Sequence, residues 1–580
     1  MKVLLVYKSN PSDDDFESRQ IPFGLYYVAT VLLDNKYEVV VKNLSGLCWS
    51  EIDRYFREQN PDVVGISCYT FNRHDSFELA KRVKYISDKI ITLLGGTHAT
   101  LYYKQILKHY PQIDYVFVGE AEFSTLELLN ALKGKSGIDE IKGVAYREGK
   151  NIHFIERPVI ENLDSIPIPA KYFSYKGILA SRGCPGRCIF CASPRIWNHH
   201  LRFRSVKNVV DELEMLNNKY GISQFFINDD TFTCWKEWVI NLCKEILDRN
   251  LKIIWGCNSR VNAIDKEVLV WMKKAGCLSI YFGVESGSQA ILDNIKKGIT
   301  VAQIIAASRL VRELGMELKF YLIVGSPGET SQTINETIDL IKRTKPHQIE
   351  INIMQLVVGT ELFMNAVSGG LINEDLWLES EHKPIFNIFE QSYEKLLEWQ
   401  KKISDFYRTS QSDFNYSYDE IMSFVKTLGD AHSYYLLALH NFRIRKADEV
   451  VNQLNKVLEL NKGYAPAYNV LGVIYASSGM YEKAIVMFNE AIKRNPVNIA
   501  VRLNLGNALI DSGRIDEAEQ VYNQILEIDP LVFKAYQNLA SIYHFKKENA
   551  RAFKLIESGP QKLKPLLQKL KEDLERRIKL

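Results

Sequence analysis

Residues 181–194 read SRGCPGRCIFCASP, a stretch that sets three cysteines close together on a loop. Cys184, Cys188 and Cys191 follow the spacing C-x3-C-x2-C, and Gly183, Pro185 and Gly186 permit a tight wrap. Three thiolates at this spacing can face one metal cluster, since iron–sulfur clusters are held by cysteinate sulfur. We therefore predict a metal-dependent catalytic centre on this loop, with a structural zinc site or a buried trio of thiols as the alternatives.

The other cysteines and the nearby histidines bear on these alternatives. A structural zinc ion would need a fourth protein ligand, and the only candidates close by are His199 and His200. The total of nine cysteines is odd, which argues against a disulfide framework and for a reducing, cytoplasmic compartment. Four further cysteines stand mostly at apolar positions and are predicted to be core thiols: Cys234, Cys243, Cys257 and Cys277.

The composition is that of an ordinary globular protein. A length of 580 residues is too great for one core and predicts roughly three to four domains. A hydrophobic content of 46% excludes a largely disordered chain. Lys+Arg 73 against Asp+Glu 70 leaves a net charge of +3, which is too balanced for a dedicated nucleic-acid binder. No long apolar run occurs, so we expect no membrane-spanning helix.

The region before the cysteine loop alternates short apolar runs with helical patterns, which is typical of a Rossmann-like parallel sheet with helices on both faces. Ligands of such sheets bind at the carboxyl ends of the strands, where the loops of this chain are rich in Gly, Ser, Thr and His. A polar hairpin, GVAYREGKNIHFI, and a proline-containing linker follow. The predicted strands are 2–7, 38–42, 63–67, 90–94 and 115–118.

A second α/β region contains six predicted strands, and a helical pattern follows each of the first five. This arrangement predicts a partial (β/α)6 barrel of the TIM type rather than a closed eight-stranded one. The cysteine loop follows the first strand, and the active residues of such barrels lie at the carboxyl ends of strands. The predicted strands are 177–181, 224–227, 253–256, 279–282, 318–323 and 348–353.

The carboxy-terminal region has a period of 34 residues. Gly472 recurs as Gly506 and then as Ala540, and the surrounding residues follow the tetratricopeptide pattern. We predict an all-α solenoid of about four repeats with a concave face. The expected domains are therefore a Rossmann-like domain at 1–140, a hairpin and linker at 141–172, the partial barrel at 173–372, a helical connector at 373–430 and the repeats at 431–580.

The motifs around the cysteine loop resemble those of the radical S-adenosylmethionine (SAM) enzymes. Phe190 is the aromatic residue before the last cysteine, and the other motifs stand in the family's order. The resemblance implies that Cys184, Cys188 and Cys191 hold a 4Fe–4S cluster whose fourth iron binds SAM. The motifs are RFRS (202–205), FINDDTF (226–232), WGCNSRVN (255–262), MKKAGC (272–277), YFGVES (281–286), KKGIT (296–300), VGSPGET (324–330) and GTEL (359–362).

The same resemblance implies a SAM site. Asp229 and Asp230 stand where the family often has Gly-Gly-Glu, and a carboxylate there can accept hydrogen bonds from the α-amino group. Arg260 can pair with the SAM carboxylate, although a salt bridge at the barrel rim is the alternative for Arg260 and for Glu285. The expected SAM-binding residues are Phe190, Asp229, Asp230, Arg260, Glu285 and Ser286 (ribose), and Gly325 and Pro327 (adenine).

The first domain resembles the cobalamin-binding domain of the class B type of these enzymes. Ser67 and the pair Gly95 and Gly96 resemble its Ser-x-Leu and Gly-Gly elements, and glycines permit close approach of a bulky ligand. The loop after the first strand lacks the Asp-x-His-x-x-Gly of domains that ligate cobalt from below, so we expect no histidine–cobalt bond and assign His98 a hydrogen-bonding role. The expected cobalamin-binding residues are Ser67, Tyr69, Thr70, Gly95, Gly96, Thr97, His98, Val118, Gly119 and Glu120.

The resemblance implies a methyltransferase that methylates an unactivated carbon through a 5′-deoxyadenosyl radical and methylcobalamin. Rearrangement or cyclisation without methyl transfer is one alternative, and a peptide or protein docking module with the repeats as its main surface is another. A methylthiotransferase is disfavoured, because its second cluster needs three cysteines and only Cys48 and Cys68 lie in the first domain. The implied partner is a reductase or a flavodoxin- or ferredoxin-type electron donor, and nothing in the sequence identifies the substrate.

Overall fold

The computed structural model describes residues 1–9, 20–134, 137–378 and 390–579. They form two compact units. The first comprises Met1–Pro158, Pro167–Phe173 and Ala465–Leu580, and the second comprises Val159–Ile166 and Ser174–Tyr464. Most of the predicted loop after the first strand and part of the predicted connector lie outside the described residues. Among the described helices, none has both the length and the apolar character that crossing a bilayer requires.

The first unit begins with a seven-stranded sheet. Its elements are β1 (Lys2–Tyr7), α1 (Phe23–Asp34), β2 (Glu38–Asn43), α2 (Trp49–Gln59), β3 (Val63–Ser67), α3 (Arg73–Ile86), β4 (Ile91–Gly95), α4 (Thr97–His109), β5 (Tyr115–Phe117), α5 (Glu122–Leu132), β6 (Val144–Glu148) and β7 (Asn151–Phe154).

The order of this sheet is β2-β1-β3-β4-β5-β6-β7, and its first five strands pair in parallel. All five residues of β3 are buried, as expected for a strand covered by helices on both faces. The predicted parallel sheet is confirmed, with strand bounds that differ by a residue at most. The predicted hairpin is β6–β7, and its antiparallel pairing with β5 makes it part of the same sheet.

The second unit contains the barrel. Its elements are β8 (Gly177–Ile178), β9 (Ser181–Arg182), α6 (Ser193–Trp197), β10 (Arg202–Phe203), α7 (Val206–Tyr220), β11 (Gln224–Ile227), α8 (Lys236–Asp248), β12 (Ile254–Ser259), α9 (Lys266–Lys274), β13 (Cys277–Glu285), α10 (Gln289–Asn294), α11 (Val301–Glu313), β14 (Glu317–Val324), α12 (Ser331–Thr344), β15 (Gln348–Ile353) and α13 (Glu361–Ser368).

Six parallel strands form this barrel in the order β15-β14-β13-β12-β11-β8, which confirms the partial barrel. Strand β13 alternates buried and half-buried residues over most of its length, because one face packs on helices and the other lines the barrel. The predicted first strand is shorter than expected. It ends at Ile178, and Ser181–Arg182 pair instead with β10 as a separate antiparallel ribbon.

Helices of the connector and of the first repeat cover the amino ends of the barrel strands. The Ser223 hydroxyl, just before β11, donates to the Gly463 carbonyl at 2.5 Å, and the Tyr416 hydroxyl donates at 2.6 Å to the carbonyl of Met316, just before β14. The amino ends of barrel strands serve stability, whereas the carboxyl ends carry active sites. The helices concerned are α14 (Tyr393–Phe414), α15 (Tyr418–Thr427), α16 (Ala431–Arg443) and α17 (Ala447–Leu460).

Four helical hairpins confirm the predicted repeats. The helix α16 pairs with α17 in the second unit, and the other three hairpins belong to the first unit. The recurring glycines mark close helix contacts, since a Cβ added at Gly472 would lie 2.5 Å from the Phe488 ring and one at Gly506 would lie 2.5 Å from the Tyr522 ring. The remaining helices are α18 (Ala465–Ser477), α19 (Tyr481–Arg494), α20 (Ile499–Asp511), α21 (Ile515–Ile528), α22 (Phe533–Phe545), α23 (Asn549–Ser558) and α24 (Lys564–Lys579).

Candidate functional site

The three cysteines of the C-x3-C-x2-C stretch lie on the loop between β9 and α6, and all three are half-buried. Two backbone hydrogen bonds hold the middle of this loop. The Ile189 amide donates to the Ile295 carbonyl at 3.2 Å, and the Leu362 amide donates to the Ile189 carbonyl at 2.9 Å. Gly183 begins the loop at φ +104, where an added Cβ would lie 2.1 Å from the His200 carbonyl oxygen. The loop therefore has one defined course.

The thiols of this loop fit an iron–sulfur cluster by their chemistry. Burial raises the pKa of Cys191 to about 12, and charge on Asp230, Cys188 and Cys184 adds to that effect. A free Cys191 is thus protonated at neutral pH, and ligation displaces the proton. Within the described ranges, no group of three His, Cys, Asp or Glu side chains is placed to hold a single metal ion. Each cysteinate of a 4Fe–4S cluster binds a different iron, so its ligands need not meet at one point.

Asp229 and Asp230, at the end of β11, have different surroundings. Asp229 is 1% exposed and accepts hydrogen bonds from the Ala180 amide at 2.7 Å and the Ser181 hydroxyl at 2.6 Å. Asp230 has an exposed side chain and accepts a 2.5 Å hydrogen bond from the Ser193 hydroxyl. The surrounding protein still removes part of the water around the carboxylate, which raises the pKa of Asp230. Asp230 is thus the carboxylate that an external amino group could reach, while Asp229 holds the start of the cysteine loop.

Arg260 lies against the cysteine loop. Its Nη1 is 3.8 Å from the Cys188 sulfur, its Nε is 3.4 Å from Asn262 Oδ1, and its Nη2 donates to the Lys297 carbonyl. The Lys297 ammonium in turn pairs with the Glu285 carboxylate at 2.6 Å, and both side chains are 8% exposed. Three separate motifs are therefore joined to the cysteine loop by one chain of contacts.

The predicted ribose residues lie at the end of β13. Glu285 has φ +67 and lies next to a register shift in the pairing with β14. The backbone of any residue other than glycine is strained at this φ. Its pairing with Lys297 is the rim salt bridge that was the alternative for this residue. Ser286 is fully buried, and its hydroxyl accepts from the Ser288 amide at 3.2 Å and lies 3.4 Å from the Thr337 hydroxyl. Both side chains are thus engaged within the protein.

The predicted adenine turn follows β14. Gly325 has φ +94 and is buried, while Pro327 is half-buried. The Glu329 carboxylate accepts a hydrogen bond from the Gly325 amide at 2.5 Å, and burial raises the pKa of Glu329 to about 7. The carboxylate of Glu329, which belongs to the motif VGSPGET, thus closes the turn by its hydrogen bond with Gly325.

Several residues of the site were missed by sequence reasoning. Lys297 and Glu329 stand inside the motifs KKGIT and VGSPGET, which is the signal that could have identified them. Thr231 Oγ1 lies 3.4 Å from the Cys184 sulfur.

The expectation that Cys234 is a core thiol is wrong. It is half-buried near Cys184, whose charge together with burial raises the pKa of Cys234 to about 11, whereas Cys243, Cys257 and Cys277 are buried as expected.

In the first unit, the predicted cobalamin residues lie at or just after the carboxyl ends of three neighbouring strands, β3, β4 and β5, with Thr97 and His98 in the first turn of α4. Among the atoms of the described residues, a Cβ added at Gly119 would meet none within 4 Å, and one at Gly95 would meet only Phe117, at 3.9 Å. Gly96 has φ +102 and packs on the Cys68 carbonyl, which a Cβ would approach to 2.5 Å. Open space beside the exposed backbone of Gly119 and the half-buried backbone of Gly95 fits a bulky ligand such as cobalamin.

His98 lies beneath this edge rather than on it. It is 1% exposed, and its Nδ1 is 3.1 Å from the Thr70 hydroxyl. Burial lowers the pKa of His98 to about 3, so the ring is neutral. The loop after β3, to which Thr70 belongs, carries an aromatic pair, Tyr69 stacked on Phe71 with ring centroids 5.5 Å apart, and Phe71 is 42% exposed. Phe71 is a further candidate that sequence reasoning missed.

Three family models match the chain: the radical SAM superfamily over residues 178–341, the B12 binding domain over 14–129 and the tetratricopeptide repeat over 475–543. An uncharacterized methyltransferase of Pyrococcus horikoshii, PH0819, is 33% identical over 395 residues, which cover 65% of this chain and 85% of that protein. An anaerobic magnesium-protoporphyrin IX monomethyl ester cyclase of Rubrivivax gelatinosus is 31% identical, covering 60% of this chain and 66% of that protein.

Among solved structures, the radical SAM methyltransferase TsrM from Kitasatospora setae, with tryptophan substrate and a SAM analogue bound, has a TM-score of 0.55 at 20% identity, covering 64% of this chain and 76% of that one. This likeness shows a shared fold. The radical SAM and B12-binding family models, rather than this shared fold, confirm the predicted cofactors, which are a 4Fe–4S cluster, SAM and cobalamin. The chain belongs to the radical S-adenosylmethionine superfamily, as a member with a B12-binding domain before the barrel and tetratricopeptide repeats after it.

Proposed function

We propose that this enzyme is a cobalamin-dependent radical SAM methyltransferase that methylates an unactivated carbon. The observation that carries the proposal is the cysteine loop at the carboxyl edge of the barrel, where Arg260 contacts Cys188. The sequence is also related to that of a methyltransferase of Pyrococcus horikoshii. When bound, the cluster and cobalamin supply one-electron cleavage of SAM and a carrier for the methyl group.

The chain's own residues bind and orient these groups in the proposal. The cluster ligands are Cys184, Cys188 and Cys191. Asp230 faces the SAM amino group, because its carboxylate is the exposed one of the pair, and Asp229 supports the loop from inside. The SAM site is completed by Phe190, Arg260, Glu285, Ser286, Gly325 and Pro327, of which Glu285 and Ser286 act through the local backbone, since their side chains are engaged.

The cobalamin site is proposed on the three loops at the carboxyl edge of the first sheet. Among the described residues, Gly95 and Gly119 leave open space beside the backbone, and the loop after β3 carries the Tyr69 ring stacked on Phe71. His98 keeps the loop in place through Thr70 and makes no bond to cobalt. The site comprises Ser67, Tyr69, Thr70, Gly95, Gly96, Thr97, His98, Val118, Gly119 and Glu120.

The test uses the full chain, reconstituted without oxygen and supplied with cobalamin, reductant, SAM and candidate substrates. Methyl transfer requires S-adenosylhomocysteine beside 5′-deoxyadenosine, and the variant Cys188→Ala should form no 5′-deoxyadenosine and no methylated substrate. Deoxyadenosine alone would contradict methyl transfer and support rearrangement or cyclisation, the second candidate, which the relationship to the Rubrivivax cyclase favours. An absorbance spectrum of the same sample should show cluster and cobalamin bands together.

The remaining proposals concern partners and organisation. Tetratricopeptide repeats are typical of protein interaction, and we propose that they hold a peptide or protein partner. The electron donor is proposed to be a reductase or a flavodoxin- or ferredoxin-type protein, and the need for reduced cysteines favours the cytoplasm. The domain boundaries proposed are 1–140, 141–172, 173–372, 373–430 and 431–580.

A further inference from the structure

We propose that the Arg260 guanidinium hydrogen-bonds the Cys188 sulfur in the loaded enzyme and raises the reduction potential of the 4Fe–4S cluster. The inference rests on cluster ligation by the three cysteines and gives Arg260 a positioning role that is separate from any contact with SAM. Hydrogen bonds to cluster sulfurs and nearby charge are among the factors that set such potentials.

The geometry fixes the guanidinium where it can do this. Nη1 lies 3.8 Å from the Cys188 sulfur, while Nη2 donates to the Lys297 carbonyl and Nε approaches Asn262 Oδ1 at 3.4 Å. A Cβ added at Gly186, inside the cysteine loop, would lie 3.1 Å from Nη1. The glycine therefore admits the arginine to the loop, and two further contacts limit its movement.

The charge of Arg260 is available to the cysteinate. The acceptors that it contacts in the described part of the chain are a carbonyl, an amide oxygen and a sulfur, and none of them is a carboxylate. The acid of this network, Glu285, pairs with Lys297 instead. A charge-assisted bond to a thiolate is stronger than one to a neutral sulfur. Since the reduced cluster carries one more negative charge, a fixed cation favours the reduced form.

The test is a redox titration of the full chain, reconstituted without oxygen and followed by electron paramagnetic resonance. The variants are Arg260→Gln and Arg260→Lys, with Arg309→Gln as the matched control, because Arg309 is exposed on α11 and pairs with Glu313. Iron and sulfide are first counted per chain. The titration is run without SAM, so that loss of a SAM contact leaves the result unchanged.

We expect Arg260→Gln to keep its cluster and to lower the ratio of reduced to oxidised cluster about tenfold at a fixed potential, equivalent to about 59 mV for one electron. Arg260→Lys should shift in the same direction by less, and Arg309→Gln should match wild type. A loaded Arg260→Gln variant with the wild-type midpoint would overturn the proposal. If Arg260→Gln loses its iron, a midpoint in Arg260→Lys equal to that of wild type would overturn the proposal instead. Wild-type protein that takes up no iron would contradict the proposed function as well.

Discussion

The Asp229 carboxylate accepts a hydrogen bond of 2.6 Å from the Ser181 hydroxyl, and this bond joins the end of β11 to the ribbon that leads into the cysteine loop. The Ala180 amide donates to the other carboxylate oxygen at 2.7 Å. Burial raises the pKa of Asp229 to about 7, against the lowering effect of these donors. The cluster-binding loop is therefore held by Asp229, a carboxyl group that changes charge near neutral pH.

Replacing this carboxylate by an amide should weaken the loop. In Asp229→Asn the remaining oxygen can still accept from the Ala180 amide, but the Ser181 hydroxyl must turn to accept from the new NH2 group. Neutral hydrogen bonds then replace charge-assisted ones, at a cost of about 1 kcal/mol. We expect a lower urea midpoint and less iron retained per chain after reconstitution. Asp248→Asn, at the exposed end of α8, is the matched control. Equal stability and iron content in the two variants would show that the bond to Ser181 is dispensable.

Glu329 should make the stability of the barrel depend on pH. Burial raises its pKa from 4.5 to about 7, so its stabilising contribution is complete below pH 4.5 and is lost as the pH rises through 7. Glu329→Gln stays neutral and keeps an acceptor for the Gly325 amide. We expect wild type to lose stability relative to this variant between these pH values, by up to about 1.4 kcal/mol per pH unit. A difference in thermal midpoint that is constant with pH would contradict this assignment.

Local patterns predicted much of this structure. The 34-residue period identified the helical hairpins, because the small residues at Gly472 and Gly506 are required by contacts within one hairpin. Most strand bounds followed from short apolar runs, but β8 was overestimated, since Ser181 pairs with Phe203 at a distance in sequence that no local pattern shows.

The contacts of the site were harder to predict for the same reason. Motif order placed Asp229, Arg260 and Glu285 at one edge of the barrel, but the inward turn of Asp229 and the pairing of Glu285 with Lys297 depend on packing between motifs. Likewise, the repeats are continuous in sequence, whereas the structure assigns the first hairpin to the barrel unit. Which side chain is used internally is a tertiary property, and residue type alone does not determine it.

A partly buried ion pair should link the first repeat to the barrel. Lys273 is 5% exposed at its side chain, lies 3.4 Å from Asp430 and donates to the Gly315 carbonyl at 3.3 Å. Lys273→Met leaves Asp430 without its cation, so we expect a loss of about 1–3 kcal/mol, less than for a fully buried pair. Hydrogen exchange in residues 431–464 should accelerate. The control is Lys274→Met at the exposed neighbouring position, and Lys273→Met with Asp430→Asn should recover part of the loss.

Phe71 should contribute to cobalamin binding. Its ring is 42% exposed and stacked on Tyr69 at the edge where the ligand is proposed, so a bound corrin can bury it. Burial of such a ring is worth about 1.5–3 kcal/mol, and we expect Phe71→Ala to weaken cobalamin binding roughly tenfold or more in equilibrium dialysis. Tyr85→Ala, on α3 at 83% exposure, should bind as wild type. Equal affinity of both variants would exclude Phe71 from the site.

The contact between the repeats and the first sheet can be tested at Gly46. An added Cβ there would lie 1.9 Å from the Pro530 ring, and the residue has φ +84. Gly134 has a similar φ of +76, and an added Cβ there would meet no atom of the described residues within 4 Å, so Gly134→Ala reports backbone strain alone. We expect Gly46→Ala to be less stable than Gly134→Ala by about 1–3 kcal/mol in urea unfolding, because overpacking adds to the strain. Adding Pro530→Ala should remove the difference. Equal stabilities would mean that the repeats do not pack against the Gly46 loop. The surface of the repeats around Pro530 would then be available to a partner.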